Sequence, residues 1–143
     1  MEQFFVFLQK SPFNMLLLGL AVVSGGMLIF PLLTRGMRVS AEVGPADAVM
    51  LINRKDAVVL DVRDTAEFAG GHITNARHIP EKQLEQRMKE LEKLKNKPVI
   101  VSCATGRRSA AAADSLRKQG FVEVVALRGG ISAWLQAGMP LEK

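Results

Sequence analysis

Residues 11–34 form a run of 24 positions without a charge, bracketed by Lys10 and Arg35, in a chain of 143 residues. No other feature limits the fold so strongly. Written as a helix rising about 1.5 Å per residue, its apolar heart at 15–33, MLLLGLAVVSGGMLIFPLL, extends about 28 Å, close to the ~30 Å hydrocarbon thickness of a bilayer. A helix apolar on every face has nothing to present to water, so a transmembrane helix at about residues 13–33 is predicted rather than a buried core helix. Pro12 suits its first turn and Pro31 its far end. The alternative is a cleaved signal peptide with Val39-Ser40-Ala41 at the cut. Against it, the apolar stretch exceeds the ~7–15 residues of a signal core, and Arg35 and Arg38 stand before the cut. Lys10 precedes the span while Arg35, Arg38, Arg54 and Lys55 follow it, so the positive-inside rule puts the rest of the chain in the cytoplasm. Phe4, Phe5, Val6, Phe7 and Leu8 make an apolar cluster expected in the membrane interface.

The chain therefore reads as an N-terminal segment, 1–36, followed by one domain, 37–143, of ordinary size. In that domain short apolar runs alternate with helical patterns. Strands are predicted at 57–60, 98–102 and 122–127. Helices are predicted at 44–51, at 64–69 before Gly70-Gly71, at 109–119 before Gly120, and at 131–137. Residues 80–94 carry Leu84, Met88 and Leu91 among Glu and Lys, the pattern of an amphipathic helix. Strands alternating with helices imply an α/β domain with a parallel sheet flanked by helices. The net charge is +5, but the Lys residues at 82–97 interleave with Glu on a solvated face, so no nucleic-acid partner is expected.

One Cys in the whole chain excludes an internal disulfide and any multi-Cys zinc site. Cys103 follows an apolar strand, and Ala104-Thr105-Gly106-Arg107-Arg108-Ser109 leads from it into an alanine-rich helix. Ligands of open α/β sheets bind beyond the carboxyl ends of the strands, where a loop entering a helix turns backbone N–H groups toward one point and the helix dipole adds positive charge. Such a place suits an anion, and it favours the thiolate, the nucleophilic form of cysteine, with Arg107 and Arg108 at hand. Gly106 belongs where the loop bends. By base rate alone a lone Cys is a small buried hydrophobe; its place in this loop argues otherwise. His72 and His78 with Cys103 have the composition of a zinc site but no closely spaced ligand pair, so no metal is expected. Carboxylates look sparse around the loop, and Trp134 reads as core.

Cys103-Ala104-Thr105-Gly106-Arg107-Arg108-Ser109 resembles the active-site loop C-x-x-G-x-R-S of the rhodanese-like sulfurtransferases. Asp61-Val62-Arg63, Glu67-Phe68, Gly71-His72-Ile73, Ala76 and His78-Ile79-Pro80 are similar to the family's D-V-R…E-[FY]…G-H-I-x-x-A-x-x-I-P signature. Leu127-Arg128-Gly129-Gly130-Ile131, Trp134 and Gly138-Met139-Pro140 are similar to its closing block. The three blocks stand in order and cover about residues 37–141. An anchor followed by one such domain is similar to bacterial inner-membrane rhodanese-like proteins. The resemblance implies that Cys103 takes the outer sulfur of a small anionic donor such as thiosulfate, becomes a persulfide, and passes the sulfur to cyanide or a thiol, with no cofactor. It implies that Arg108 shapes and charges the loop, that Arg107 faces the pocket mouth at a variable position, and that Asp61 and Arg63 form a supporting ion pair. Related phosphatases place Arg six residues after the nucleophile. Here Arg108 is at the fifth position and Ser109 at the sixth, which favours sulfur over phosphate. The competing expectation is a membrane-tethered binding or sulfur-relay module with little turnover of its own.

Overall fold

The computed structural model describes residues 11–34 and 41–143. The chain divides into two units, Met1–Val39 and Ser40–Lys143. In the first, helix α1 spans Pro12–Thr34, 23 residues with no acid in the first turn and no base in the last. Leu16, Leu17 and Leu18 are all exposed. Among the described residues, no helix is long and apolar enough to cross a membrane. The full backbone of α1, 23 residues, measures about 34 Å at the usual helical rise. Phe4, Phe5, Val6, Phe7, Leu8, Lys10, Arg35, Arg38, Val39 and Ser40 lie outside the described residues.

The second unit is an α/β domain. Strands β1 (Glu42–Val43), β2 (Val58–Asp61), β3 (Arg77–His78), β4 (Val99–Ser102) and β5 (Val124–Leu127) form one sheet in the order β1-β5-β4-β2-β3. Every neighbouring pair is parallel. Helices α2 (Pro45–Lys55), α3 (Thr65–Ala69), α4 (Arg107–Lys118) and α5 (Gly130–Gln136) connect and cover it. Side chains alternate across the pleat, as strand geometry requires. Leu60, Val99, Val101 and Val124 point to one face and pack with Ala112, Ala113 and Leu116 of α4. Val59, Ile100, Val125 and Leu127 point to the other and pack with Ala48 of α2 and Ile131 and Trp134 of α5. Both faces are thus closed, which is why the strands read as nearly unbroken apolar runs.

The predicted strands and four of the predicted helices are present, with shifted ends. Helix α2 runs on from the expected end at 51 to Lys55, stopping where Asp56 turns left-handed at φ 54°. Strand β5 begins at Val124 instead of 122, leaving Val122 exposed. The amphipathic helix expected at 80–94 is instead two 3-10 segments, Glu81–Gln83 and Met88–Leu94, joined by turns. The reason lies in the burial: Leu91 and Leu94 are both buried, and residues three apart eclipse on a 3-10 helix. The edge strands β1 and β3, two residues each, are too short to leave a periodic pattern.

Candidate active site

Strand β4 lies between β5 and β2, and Cys103 is the first residue beyond its carboxyl end, buried with the core on the α4 face. The chain then turns through Ala104, half-buried, and Thr105, exposed, to Gly106 at φ 95°, which caps α4. Only glycine takes that conformation freely, and a side chain here would also meet the Gly129 nitrogen at 3.1 Å. The cap turns the loop back on its sulfur. The Gly106 N–H donates to Cys103 Sγ at 3.0 Å and the Ser109 N–H donates at 3.4 Å. Ser109 Oγ, 3.5 Å from the sulfur, donates its own proton to the Gly106 carbonyl at 3.0 Å. The sulfur therefore sits on two backbone donors at the N-terminus of a 12-residue helix, an arrangement that stabilises negative charge.

A second helix start holds the loop from behind. The Ile131 N–H donates to the Cys103 carbonyl at 2.8 Å and the Ser132 N–H to the Ala104 carbonyl at 3.1 Å. This contact requires Gly130, because a Cβ there would run into the Cys103 carbonyl and lie 2.7 Å from the Ala104 carbonyl carbon. The Gly129-Gly130 pair was visible in sequence only as part of a resemblance; its role comes from this backbone approach.

Asp61 and Arg63 form an ion pair at the end of the neighbouring strand β2. Arg63 Nε lies 3.0 Å from both Asp61 carboxylate oxygens, and its Nη2 donates to Asp61 Oδ2 and to the Gly71 carbonyl, each at 2.7 Å. Both residues are buried. Asp61 stands in register with Ser102 on β4 and with His78 on β3. Among the described residues, Ser102 Oγ is the buried side-chain oxygen with no hydrogen-bond partner. Among the described residues, the hydrogen bonds of the Asp61 and Arg63 side chains run to one another, to the Arg63 N–H and to the Gly71 carbonyl, and not to Cys103.

The expectation that carboxylates are sparse near the loop is corrected. The Asp64 side chain accepts from the Glu67 backbone, and Glu67 accepts from the Asp64 N–H at 3.0 Å, a capping box that starts α3. The same Glu67 carboxylate takes Arg108 Nη2 at 3.1 Å on both oxygens, and Asp64 Oδ2 lies 3.9 Å from Arg108 Nη1. The Arg108 hydrogen bond holds the Glu67 carboxyl below its ordinary range, with desolvation opposing. In return the Glu67 hydrogen bond raises the Arg108 guanidinium, with desolvation again opposing. Arg107, the first residue of α4, is exposed and has no hydrogen-bond or ion-pair partner among the described residues.

His72 and His78 stack on opposite sides of Phe68 in the order His72, Phe68, His78, with centroid separations of 3.9 Å and 4.3 Å. Their polar atoms meet protein groups: His72 Nδ1 lies 3.1 Å from the Phe68 carbonyl and His78 Nε2 lies 2.8 Å from the Arg63 carbonyl. Among the described residues no three His, Cys, Asp or Glu side chains converge as metal ligands. Trp134 is core, its indole N–H donating to the Pro140 carbonyl at 3.0 Å.

The Rhodanese-like domain family model matches residues 45–137. The thiosulfate sulfurtransferase GlpE of Vibrio cholerae is 38% identical over 101 residues, 71% of this chain and 92% of GlpE. The uncharacterized protein YqhL of Bacillus subtilis is 45% identical over 80 residues, 56% of this chain and 62% of YqhL, so the match spans about three fifths of that relative. Among solved structures, a rhodanese-related protein from Thermoplasma volcanium is 36% identical with a TM-score of 0.65, covering 71% of this chain and 97% of that one.

Proposed function

We propose, since the chain belongs to the Rhodanese-like domain family, that it is a sulfurtransferase in which Cys103 carries the sulfur. The carrying observation is the pair of backbone donors, from Gly106 and Ser109, on Cys103 Sγ. In the first step the Cys103 thiolate attacks the outer sulfur of thiosulfate or of a persulfide donor. The donor's S–S bond breaks, and sulfite or a thiolate leaves with the bonding electron pair. The negative charge then rests on the terminal sulfur of the Cys103 persulfide, where the positive end of the α4 dipole favours it. In the second step cyanide or an acceptor thiolate attacks that terminal sulfur, and Cys103 leaves as the thiolate. Charge balances at both steps without metal or cofactor. GlpE, by its name a thiosulfate sulfurtransferase, supports thiosulfate as the donor to try first.

The test is intact-protein mass spectrometry after incubation with thiosulfate. The expected product is heavier by the mass of one sulfur, about 32 Da on any thiol, in the wild type and not in Cys103→Ser. No adduct would leave a binding module as the reading. Cys103-dependent hydrolysis of an aryl phosphate in place of the adduct would favour phosphate chemistry.

The membrane reading rests on α1, 23 residues with no acid in its first turn and no base in its last, in a sequence run without charge. On this reading α1 anchors the protein in an inner membrane and the catalytic domain faces the cytoplasm. The chain should sediment with membranes at high salt, and a chain beginning at residue 40 should not. Orientation is read from a reporter at the exposed Lys93, as Lys93→Cys in a Cys103→Ser background that leaves a single thiol. An impermeant thiol reagent should miss it in intact cells; labelling there would reverse the orientation.

A further inference from the structure

Two arginines stand side by side at the start of α4, and their surroundings differ. Arg108 meets both oxygens of Glu67 at 3.1 Å, with Asp64 at 3.9 Å, so its charge is answered by carboxylates of α3. Arg107 is exposed and has no carboxylate partner among the described residues. It lies between Gly106 and Ser109, the two residues whose N–H groups hold Cys103 Sγ. Ala104, Thr105 and Gly106 carry no charge, so Arg107 supplies the loop's uncompensated positive charge.

We propose, resting on the sulfur-transfer reading, that Arg107 selects anionic sulfur donors while Arg108 is a positioning residue whose charge Glu67 neutralises. Arg107 acts through an exposed, solvated charge, so its pull is long-ranged, grows with the donor's negative charge and weakens with salt. Arg108 acts by tying α3 to the first turn of α4, which fixes the helix start that presents the Ser109 N–H to sulfur. The donor class that follows is small and multiply charged, thiosulfate dianion ahead of singly charged thiosulfonates and both ahead of neutral sulfur carriers.

The experiment alkylates Cys103 with iodoacetate, an anion, and with iodoacetamide, its neutral counterpart, and compares the ratio of the two rates among variants of the full chain. The ratio cancels general changes in thiol accessibility. Arg107→Gln should lower it about threefold, the effect of one unit charge several ångströms away through a water-like medium, and Arg107→Lys should keep it. Removing the ion pair whole, as Glu67→Gln with Arg108→Gln, changes no net charge and should leave the ratio at the wild-type value. Glu67→Gln alone should raise it by releasing the Arg108 charge. In a parallel assay Arg107→Gln should raise the thiosulfate KM up to about tenfold with kcat kept, since the donor's charge is doubled, and should flatten the salt dependence of kcat/KM.

A wild-type ratio in Arg107→Gln, or a loss in the double variant as large as that expected of Arg107→Gln, overturns the assignment. Alkylation needs the thiol alone, so the two claims fail separately. An Arg107-dependent ratio in a protein that gains no sulfur from thiosulfate would overturn the sulfur-transfer reading and keep the charge assignment. A sulfur adduct with an Arg107-independent ratio would do the reverse.

Discussion

Arg63 and Asp61 are both buried, and a buried charge is tolerated only when its partner and further hydrogen bonds are present. Arg63 meets both requirements, engaging both Asp61 oxygens and the Gly71 carbonyl. Arg63→Met strands the carboxylate, and a loss of about 3–5 kcal/mol in urea unfolding is expected. Asp61→Asn with Arg63→Met should lose less, because no uncompensated charge remains. Equal losses would show that packing, and not charge, dominates there. Glu67 makes a pH prediction. Arg108 holds its folded-state pKa below the ordinary value of 4.5, so the pair contributes stability that is fully present above 4.5 and is lost as pH falls through the lowered folded value. The stability difference between wild type and Glu67→Gln should therefore be constant near neutrality and close in acid below 4.5. A gap that persists there would assign it to shape and not to ionisation.

The elements around the site divide into those legible in the sequence and those that are not. Strand β4, the loop after Cys103 and α4 are written in the apolar run, the glycine and the alanines, because each depends on residues within a few positions of itself. The 3-10 path of 81–94 depends on which leucines the sheet face accepts, which no local pattern states. The Glu67–Arg108 link joins residues 41 apart, and the start of α5 reaches the Cys103 carbonyl from 28 positions on; both are products of topology. Gly130→Ala tests the second. Its φ of 58° and the carbonyl in the path of a Cβ make even a methyl group costly. The expected loss is about 2–4 kcal/mol, from overpacking plus a left-handed residue, together with slower sulfur loading of Cys103. Full stability with full loading would mean the loop is held from its α4 side alone.

At the scale of the whole molecule, both hydrophobic clusters lie within Ser40–Lys143, one on each face of the sheet. A chain beginning at residue 40 should unfold in one transition, with a stability within about 0.5 kcal/mol of the same domain in the full chain, since it keeps both clusters whole. A markedly lower midpoint would mean that the N-terminal segment supports the domain. The strand order has a bearing on wear as well as on shape. Strands β1 and β3 at the rims offer two residues each, whereas β4 is paired on both sides and fully buried. Amide exchange should therefore begin at the rims and reach residues 99–102 only on global unfolding. Cys103 hangs from the strand that opens last, so heating or mild denaturant should fray the sheet at its margins before the geometry around the sulfur is disturbed.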